Sequence, residues 1–281
     1  MVEELTHDPG PEDFRALARS SPWRFRTLHL THRQTGYAAT HRPGTVEAWL
    51  DRDRGQVRVR TDRAVETEKG VPYGRAVLRV GDEAGPDAPV DRDAGVTFRP
   101  DGLVASRPQG WHVEHGDPMW RDYRWTAMLD PVELADGAWT ESEHEARLPE
   151  QPEAERPLGV EITEVEEVEH RGRRTWRAVC SPVLHRYEPR CGCCPLLDSV
   201  ASRLAEYGPE DPTLASPRAE LPTSYLVSLD VRTGIVVDIT PLDGDAGSGL
   251  VNVIHAVDAG TLDARPSGDR APHGDGVRGG R

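Results

Sequence analysis

The chain has 281 residues, and its 48 Asp and Glu outnumber its 34 Lys and Arg, which gives a formal net charge of −14 at pH 7. This acidity argues against nucleic acid as a partner, because sequence-independent binding depends on a basic surface that neutralises phosphates. It argues equally against docking to an anionic membrane. Hydrophobic residues make up 36% of the sequence beside 27 Gly and 24 Pro, so we expect a modest core with many turns.

The sequence contains no run of 18 apolar residues, so no membrane span is predicted. The first residues are acidic, where a secretion signal is basic, and no apolar segment follows them. We therefore expect a cytoplasmic protein in which the four cysteines stay reduced.

The N-terminal third is predicted to begin with a helix over residues 11–19. Phe14, Leu17 and Ala18 form one apolar stripe at helical spacing, and the Ser-Ser-Pro sequence that follows predicts the end of the helix. Alternating residue types over residues 23–30 then predict a strand. Further strands are predicted at 45–50, 56–61, 76–80, 95–98 and 103–105.

The middle third is predicted to be helical and then exposed. Asp117-Pro118 is a typical helix start, with Asp as the N-cap and Pro as the first helical residue. Asp130-Pro131 repeats this signal for a second, short helix. Residues 140–157 are acidic and interrupted by prolines, which favours an exposed connection.

The last third returns to strands. Asp230-Val-Arg-Thr-Gly234 is typical of a hairpin turn in which glycine takes the left-handed position. A helix is predicted from Pro195 to Tyr207, and residues 259–281 have the composition of a disordered tail. Strands are predicted at 160–165, 175–180, 224–229, 235–239 and 250–257.

Together these elements predict one α+β domain over residues 1–258. Short connections between alternating strands favour an antiparallel sheet with one wet face and one face under helices. We expect this sheet to be curved, as an incomplete β-barrel with helices covering its concave face.

All four cysteines lie within fifteen residues, and one histidine lies among them. Thiolate and imidazole are the ligands that zinc prefers, so a zinc site is one interpretation of this segment. The candidate ligands are Cys180, His185, Cys191, Cys193 and Cys194.

The spacing of these cysteines differs from the usual zinc knuckle and leaves other interpretations open. Cys191 and Cys194 have the spacing of a redox pair just before a predicted helix, whose positive end would lower a thiol pKa. Reduced cysteines that simply pack a tight loop are a further interpretation. A structural disulfide would require an oxidising compartment.

Seven tryptophans against three phenylalanines are the second informative feature. A concave sheet face lined by aromatic residues and covered by the middle helix would form an apolar pocket. The candidate ligand-binding residues are Trp23, Trp49, Trp120, Tyr123, Trp125 and Trp176. No nucleophile elbow, phosphate loop or dinucleotide fingerprint occurs, so we expect a protein without catalytic activity.

Two segments resemble the lipoprotein-carrier superfamily, which includes periplasmic carriers and relatives that regulate envelope-stress sigma factors. They are Gly-Arg-Arg-Thr-Trp-Arg-Ala-Val at 172–179 and Tyr-Leu-Val-Ser-Leu-Asp-Val-Arg-Thr-Gly-Ile-Val-Val-Asp at 225–238. The order of elements is similar over residues 20–258. The resemblance implies a curved, incomplete barrel that binds acyl chains or a partner protein and is not catalytic. The chain departs from the family in its start, which has no secretion signal or lipidation cysteine, and in the cysteine-containing segment at 180–207.

Our leading hypothesis from the sequence is a non-enzymatic binding protein. It would hold an apolar small molecule or a protein segment beneath residues 118–135. The alternative is a protein that uses the cysteine segment to bind zinc or to perform thiol redox chemistry. An enzyme of a specialised pathway built on this scaffold is a third hypothesis.

Overall fold

The computed structural model describes residues 7–36, 44–70, 93, 96–107, 117–136, 158–212, 214, 220–244 and 246–259. The predicted strand at 76–80, the predicted connection at 140–157 and the predicted tail after Ala259 lie outside these residues. The helices of the described part are α1 (Pro11–Arg24), α2 (Tyr123–Leu129), a 3₁₀ turn (Val132–Leu134) and α3 (Val200–Tyr207). The strands are β1 (Thr27–Gly36), β2 (Thr45–Asp51), β3 (Gln56–Arg60), β4 (Val65–Lys69), β5 (Thr97–Phe98), β6 (Val104–Ser106), β7 (Val160–His170), β8 (Arg173–Pro182), β9 (Tyr225–Asp230), β10 (Val236–Pro241) and β11 (Ser248–Val257).

The fold is α+β, with a large antiparallel sheet as predicted. Nine strands pair in the order β4-β3-β2-β1-β11-β10-β9-β8-β7, and β5 and β6 form a separate pair. Within the described residues, β4 and β7 are the two edges of the large sheet, so it does not close into a barrel. The pairing of β1 with β11 joins the first and last strands at the middle of the sheet.

The core lies between one face of this sheet and the helices. The apolar stripe predicted for α1, Phe14, Leu17 and Ala18, is fully buried. It belongs to one hydrophobic cluster that also includes inward-facing residues of both halves of the sheet, such as Leu30 and Leu229. No helix of the described residues is long and apolar enough to cross a bilayer.

Helix α1 runs further than predicted and includes Trp23, which the alternation had placed in a strand. The helix continues through Pro22 because the two serines before it are satisfied inside the fold. The hydroxyl of Ser20 donates to the carbonyl one turn earlier at 2.6 Å, and that of Ser21 donates to the carbonyl of Leu129 at 2.5 Å. Tertiary contacts therefore outweigh the local helix-breaking signal.

Helix α2 begins at Tyr123, five residues later than predicted, and its N-cap is Asp122 rather than Asp117. The Asp122 carboxylate accepts a hydrogen bond from the backbone N–H of Trp125 at 3.3 Å. Asp117 instead forms a fully buried ion pair with Arg52 at 2.7 Å. A buried guanidinium requires such a partner, and this requirement decides which aspartate is left to cap the helix.

Helix α3 begins at Val200, and the prediction of a start at Pro195 is wrong. Ser199 is the N-cap, since its side chain accepts the backbone N–H of Ser202. As a consequence, Cys194 lies outside the first turn of α3, and its thiol instead accepts a hydrogen bond from the backbone N–H of Tyr123 at the start of α2.

The predicted hairpin turn between β9 and β10 is confirmed. Gly234 adopts a left-handed φ of 72°, and the Asp230 carboxylate accepts hydrogen bonds from the backbone N–H and the hydroxyl of Thr233. A Cβ atom on Gly234 would lie 2.8 Å from the carbonyl oxygen of Leu17 in α1. Glycine is therefore required both by the turn and by the close approach of α1.

Candidate functional site

A small cavity lies where α2 and the segment before it meet strands β1, β2 and β11. Its volume is about 20 Å³, which is room for one water-sized group. The residues that line it combine aromatic, apolar, cationic and amide side chains. They are His32, Gln34, Val46, Trp120, Arg121, Asp122, Arg124, Trp125, Met128 and Leu250.

Two of the predicted aromatic residues meet at this cavity. The rings of Trp120 and Trp125 lie edge to face with centroids 5.2 Å apart, and Trp125 contacts the ring of His32 at 5.5 Å in the same manner. The guanidinium of Arg121 lies 4.3 Å from the Trp120 ring centroid. Arg121 has a φ of 72°, an uncommon conformation for a residue other than glycine and one that recurs at ligand sites.

Three side chains that line the cavity carry buried polar atoms without a hydrogen-bond partner in the described part of the chain. These atoms are the Nε of Arg124, the Nε1 of Trp125 and the Oε1 of Gln34. Leaving a buried donor or acceptor unsatisfied costs about 1–3 kcal/mol each. Three such atoms in residues around one cavity point to a ligand or ordered water that satisfies them.

Arg124 is the most informative of the three. Its Nη2 donates to the carbonyl of Ser248 at 2.7 Å, but none of the described carboxylates forms an ion pair with it. Asp198 and Glu133 attract it only from longer range, and each accepts hydrogen bonds from other donors. Burial lowers the pKa of the guanidinium, so the site holds a charge that its surroundings do not compensate.

The structure does not bring the other predicted aromatic residues to this cavity. Trp49 points from the opposite face of the sheet, where its ring stacks on His29 at a centroid distance of 4.8 Å. Trp23 packs edge-on against Phe98, and Tyr123 is exposed. Trp176 is buried in β8, where its indole N–H donates to Glu167 at 3.3 Å.

The sequence analysis missed the polar residues of the cavity, although a signal for them exists. In β1, every second side chain from Leu28 to Gln34 faces the core. This alternation places the polar side chains of His32 and Gln34 on the core face, in line with Leu28 and Leu30. Arg124 lies in the first turn of α2, directly before Trp125. Polar residues at positions that the alternation assigns to the core face are therefore the signal that predicts a polar cavity.

Beneath the rest of residues 118–135, the sheet face is filled. Ala127, Met128 and Leu129 are buried in the core cluster, and α1 packs beside them. The cavity that the structure shows at this segment is the small one near the start of α2. The cavity near the start of α2 is too small for a whole acyl chain.

The cysteine segment brings three of its four thiols together. The Sγ atoms of Cys191 and Cys193 are 2.8 Å apart, those of Cys193 and Cys194 are 3.8 Å apart, and all three lie within 4.8 Å of one another. Cys193 is exposed, and the other two are partly buried. We call these three residues the trithiol cluster.

Cys180 and His185, which the sequence grouped with these residues, are not part of the trithiol cluster. Cys180 lies in β8 and is fully buried in the core. Burial raises the pKa of its thiol to about 12, which makes it unreactive at neutral pH.

The pKa values of Cys193 and Cys194 are both raised. Burial and a hydrogen bond with Cys191 raise the pKa of Cys194 to about 12. The hydrogen bond with Cys191, followed by burial, also raises the pKa of Cys193. A reactive redox thiol has a lowered pKa, so the helix-dipole activation expected from the sequence is wrong.

Glu133 in the 3₁₀ turn anchors both ends of the cysteine segment. Its carboxylate is buried and accepts hydrogen bonds from the backbone N–H of Arg190 at 3.0 Å and of Leu196 at 2.9 Å. It also accepts one from the hydroxyl of Tyr187 at 2.7 Å. Because these donors precede and follow the trithiol cluster, Glu133 fixes the path of the chain that carries it.

Asp130 forms two ion pairs in the same region, and they make the stability of the fold depend on pH. Arg107 lies 2.6 Å and Arg190 3.2 Å from its carboxylate. Burial alone would raise the pKa of Asp130, but the charges of Arg107, Arg190 and Arg52 hold it below the ordinary value.

We expect acid to destabilise the protein through Asp130. A depressed pKa in the folded state gives stability that is fully present above the unfolded value of about 4 and is lost as the pH falls through the folded value. The Asp130→Asn variant should therefore be less stable than the unaltered chain at pH 7. Its free energy of unfolding should also fall less than that of the unaltered chain between pH 4 and pH 2. Urea unfolding at several pH values measures how the free energy of unfolding of each protein depends on pH. The same pH dependence in both proteins would contradict this role of Asp130.

Comparisons with known proteins give a weak structural likeness and no family. No protein-family model and no curated protein matches the chain. Among solved structures, the crystal structure of LprF from Mycobacterium bovis is similar at 11% identity and a TM-score of 0.33, over 93% of this chain and 100% of that chain. A likeness of this strength carries no argument about function, and the resemblance to the lipoprotein-carrier superfamily stays a prediction from the sequence.

Proposed function

We propose that this protein binds a small amphipathic organic carboxylate without transforming it. The carboxylate occupies the cavity at α2, and Arg124 and Trp125 hold it. The buried guanidinium of Arg124, which has no carboxylate partner among the described residues, is the observation that carries the proposal. Buried charges are normally paired, so an anionic ligand is the partner that such a site favours.

The unsatisfied atoms fit a carboxylate in their hydrogen-bond type. The Arg124 Nε and the Trp125 Nε1 are both donors, whereas an ionised carboxylate is a pure acceptor with two oxygens. Hydrogen bonds from a guanidinium to a carboxylate are among the strong ones because both groups are charged. The Oε1 of Gln34 is an acceptor and would receive a hydroxyl or amide N–H of the ligand.

The size and the lining of the cavity restrict the rest of the ligand. A volume of about 20 Å³ takes the head group only, so the body of the ligand lies at the mouth. Trp120 and the guanidinium of Arg121 stacked on it offer an aromatic and cationic surface there. These features favour an aromatic or short apolar body rather than a long acyl chain.

Phenylacetate and the neutral 2-phenylethanol form a matched pair that tests the proposal by titration calorimetry at pH 7. We expect phenylacetate to bind at least about tenfold more tightly, the discrimination that one charge-assisted hydrogen bond supplies. The Arg124→Met variant should lose this preference and remain folded, because it removes an unpaired buried charge. Arg58→Met is the matched control, since Arg58 lies over Trp49 on the opposite face of the sheet.

Equal affinity for the acid and the alcohol would contradict a carboxylate site. A preference that survives in Arg124→Met, or that disappears in Arg58→Met, would place the anion elsewhere on the protein.

A further inference from the structure

We propose that the trithiol cluster of Cys191, Cys193 and Cys194 binds one Zn²⁺ ion through three thiolates. None of the three cysteines lines the carboxylate cavity, although the Cys194 thiol accepts a hydrogen bond from the backbone N–H of Tyr123, between the lining residues Asp122 and Arg124. The convergence of three sulfur atoms from four consecutive residues is the observation that carries the proposal.

The distances between the sulfur atoms suit a single ion. Zinc binds thiolates at about 2.3 Å, so tetrahedral geometry places neighbouring sulfur atoms about 3.8 Å apart. Cys193 and Cys194 already have this separation, at 3.8 Å. Cys191 and Cys193 are hydrogen-bonded at 2.8 Å, so binding an ion requires them to separate by about 1 Å.

The fold holds the three thiols in this arrangement before any ion arrives. The backbone N–H of Cys194 donates to the carbonyl of Cys191 at 3.3 Å, which closes the turn that brings the side chains together. Gly192 fits against α3, where a Cβ atom would lie 2.4 Å from the Cβ of Glu206. Preorganised ligands of this kind lose little entropy when a metal binds.

Simple packing does not explain the cluster. Free cysteines that serve as small hydrophobic residues are typically buried, as Cys180 is. Cys193 is exposed, and Cys191 and Cys194 are only partly buried. Polarisable thiols gathered at the surface are the ligand set that a thiophilic ion selects.

The cluster leaves one coordination position open toward solvent beside the exposed Cys193. A water molecule completes the tetrahedron in three-ligand zinc sites. Glu206 lies next to the cluster, where its carboxylate accepts the backbone N–H of Gly192 at 3.2 Å, and its negative charge adds to the attraction for a cation.

The test is a titration of the reduced, full-length chain with Zn²⁺ in competition with a chromophoric chelator. We expect one equivalent to bind, and Co²⁺ in its place to give a thiolate-to-cobalt charge-transfer band in the near ultraviolet. Cys193→Ser and Cys191→Ser should each weaken binding at least about tenfold and reduce the band. Cys180→Ala and His185→Ala are the controls that should retain both, because neither residue belongs to the cluster.

Failure of the reduced protein to compete with the chelator, or absence of the charge-transfer band, would overturn the proposal. An equal loss in Cys180→Ala or His185→Ala would overturn the assignment of these three ligands. The Arg124→Met variant should bind Zn²⁺ like the unaltered chain, so this result is independent of carboxylate binding.

Discussion

Replacement of Asp117 by alanine is expected to lower the free energy of unfolding by about 3–5 kcal/mol, the cost of leaving a buried charge unpaired. Arg52 contacts the two carboxylate oxygens of Asp117 at 2.8 and 2.7 Å, and both side chains are fully buried. The same guanidinium donates to the carbonyl of Ser21 at 2.6 Å and lies 3.7 Å from the ring centroid of Phe25. The pair therefore joins the end of β2 to α1 and to the segment before α2.

Urea unfolding of Asp117→Ala and of a matched surface variant measures this effect. Arg26 and Asp53 form an ion pair at 2.8 Å that is more than half exposed, so Asp53→Ala should cost less than about 1 kcal/mol. The double variant Arg52→Met/Asp117→Leu should recover much of the loss, because it removes both charges of the pair. If Asp117→Ala costs no more than Asp53→Ala, the buried pair does not have the structural role assigned to it.

Replacement of Glu133 by alanine is expected to have the second-largest effect. It would remove the acceptor for three buried or partly buried donors, on Tyr187, Arg190 and Leu196. Unsatisfied donors cost about 1–3 kcal/mol each, so we expect a loss of at least about 3 kcal/mol in the free energy of unfolding. We also expect Zn²⁺ affinity to fall at least about tenfold, since the path of the trithiol segment is no longer fixed.

The zinc readout separates this positioning role from general destabilisation. Asp117→Ala should lose similar stability yet keep its Zn²⁺ affinity when both variants are measured under conditions in which they are folded. Glu133→Gln, which retains one acceptor oxygen, should fall between the unaltered chain and Glu133→Ala in both measurements. Loss of stability without any change in Zn²⁺ affinity would contradict the anchoring role.

Most of the described strands could be predicted from the sequence because their signals are local, although β4 was not predicted and the predicted strand at 23–30 begins inside α1. The alternation around Gly55 and the Asp230-to-Gly234 turn specify their hairpins without reference to distant residues. The edge strand β7 is also readable, since its glutamates face solvent and discourage pairing with another chain.

The start of α1 at Pro11 could be predicted, but the starts of α2 and α3 could not, because tertiary pairing decides among equivalent local signals. Asp117 and Asp122 are equally good caps, and only the buried guanidinium of Arg52 distinguishes them. Pro195 marks a plausible first turn, yet the helix is capped four residues later by Ser199, while Glu133 binds the backbone N–H of Leu196. Both partners are distant in sequence, so no local pattern reveals them.

The two candidate sites differ in how far the sequence led to them. The clustering of cysteines indicated the trithiol segment, but the fold decides that Cys180 belongs to the core and His185 lies outside the group. The tryptophan count indicated a ligand site, but the fold assigns only Trp120 and Trp125 to the cavity. The decisive group is the guanidinium of Arg124, which has no carboxylate partner among the described residues, and its burial is a property that composition does not show.

The most direct test of the binding site is a nuclear magnetic resonance titration of the ¹⁵N-labelled protein with phenylacetate. The indole N–H of Trp125 and the Nε–H of Arg124 have no acceptor among the described residues, so both resonances should move downfield in a saturable manner as the carboxylate binds. The indole N–H of Trp176, which already donates to Glu167, should stay in place. Saturable binding that leaves the Trp125 and Arg124 resonances unmoved would contradict a carboxylate site at α2.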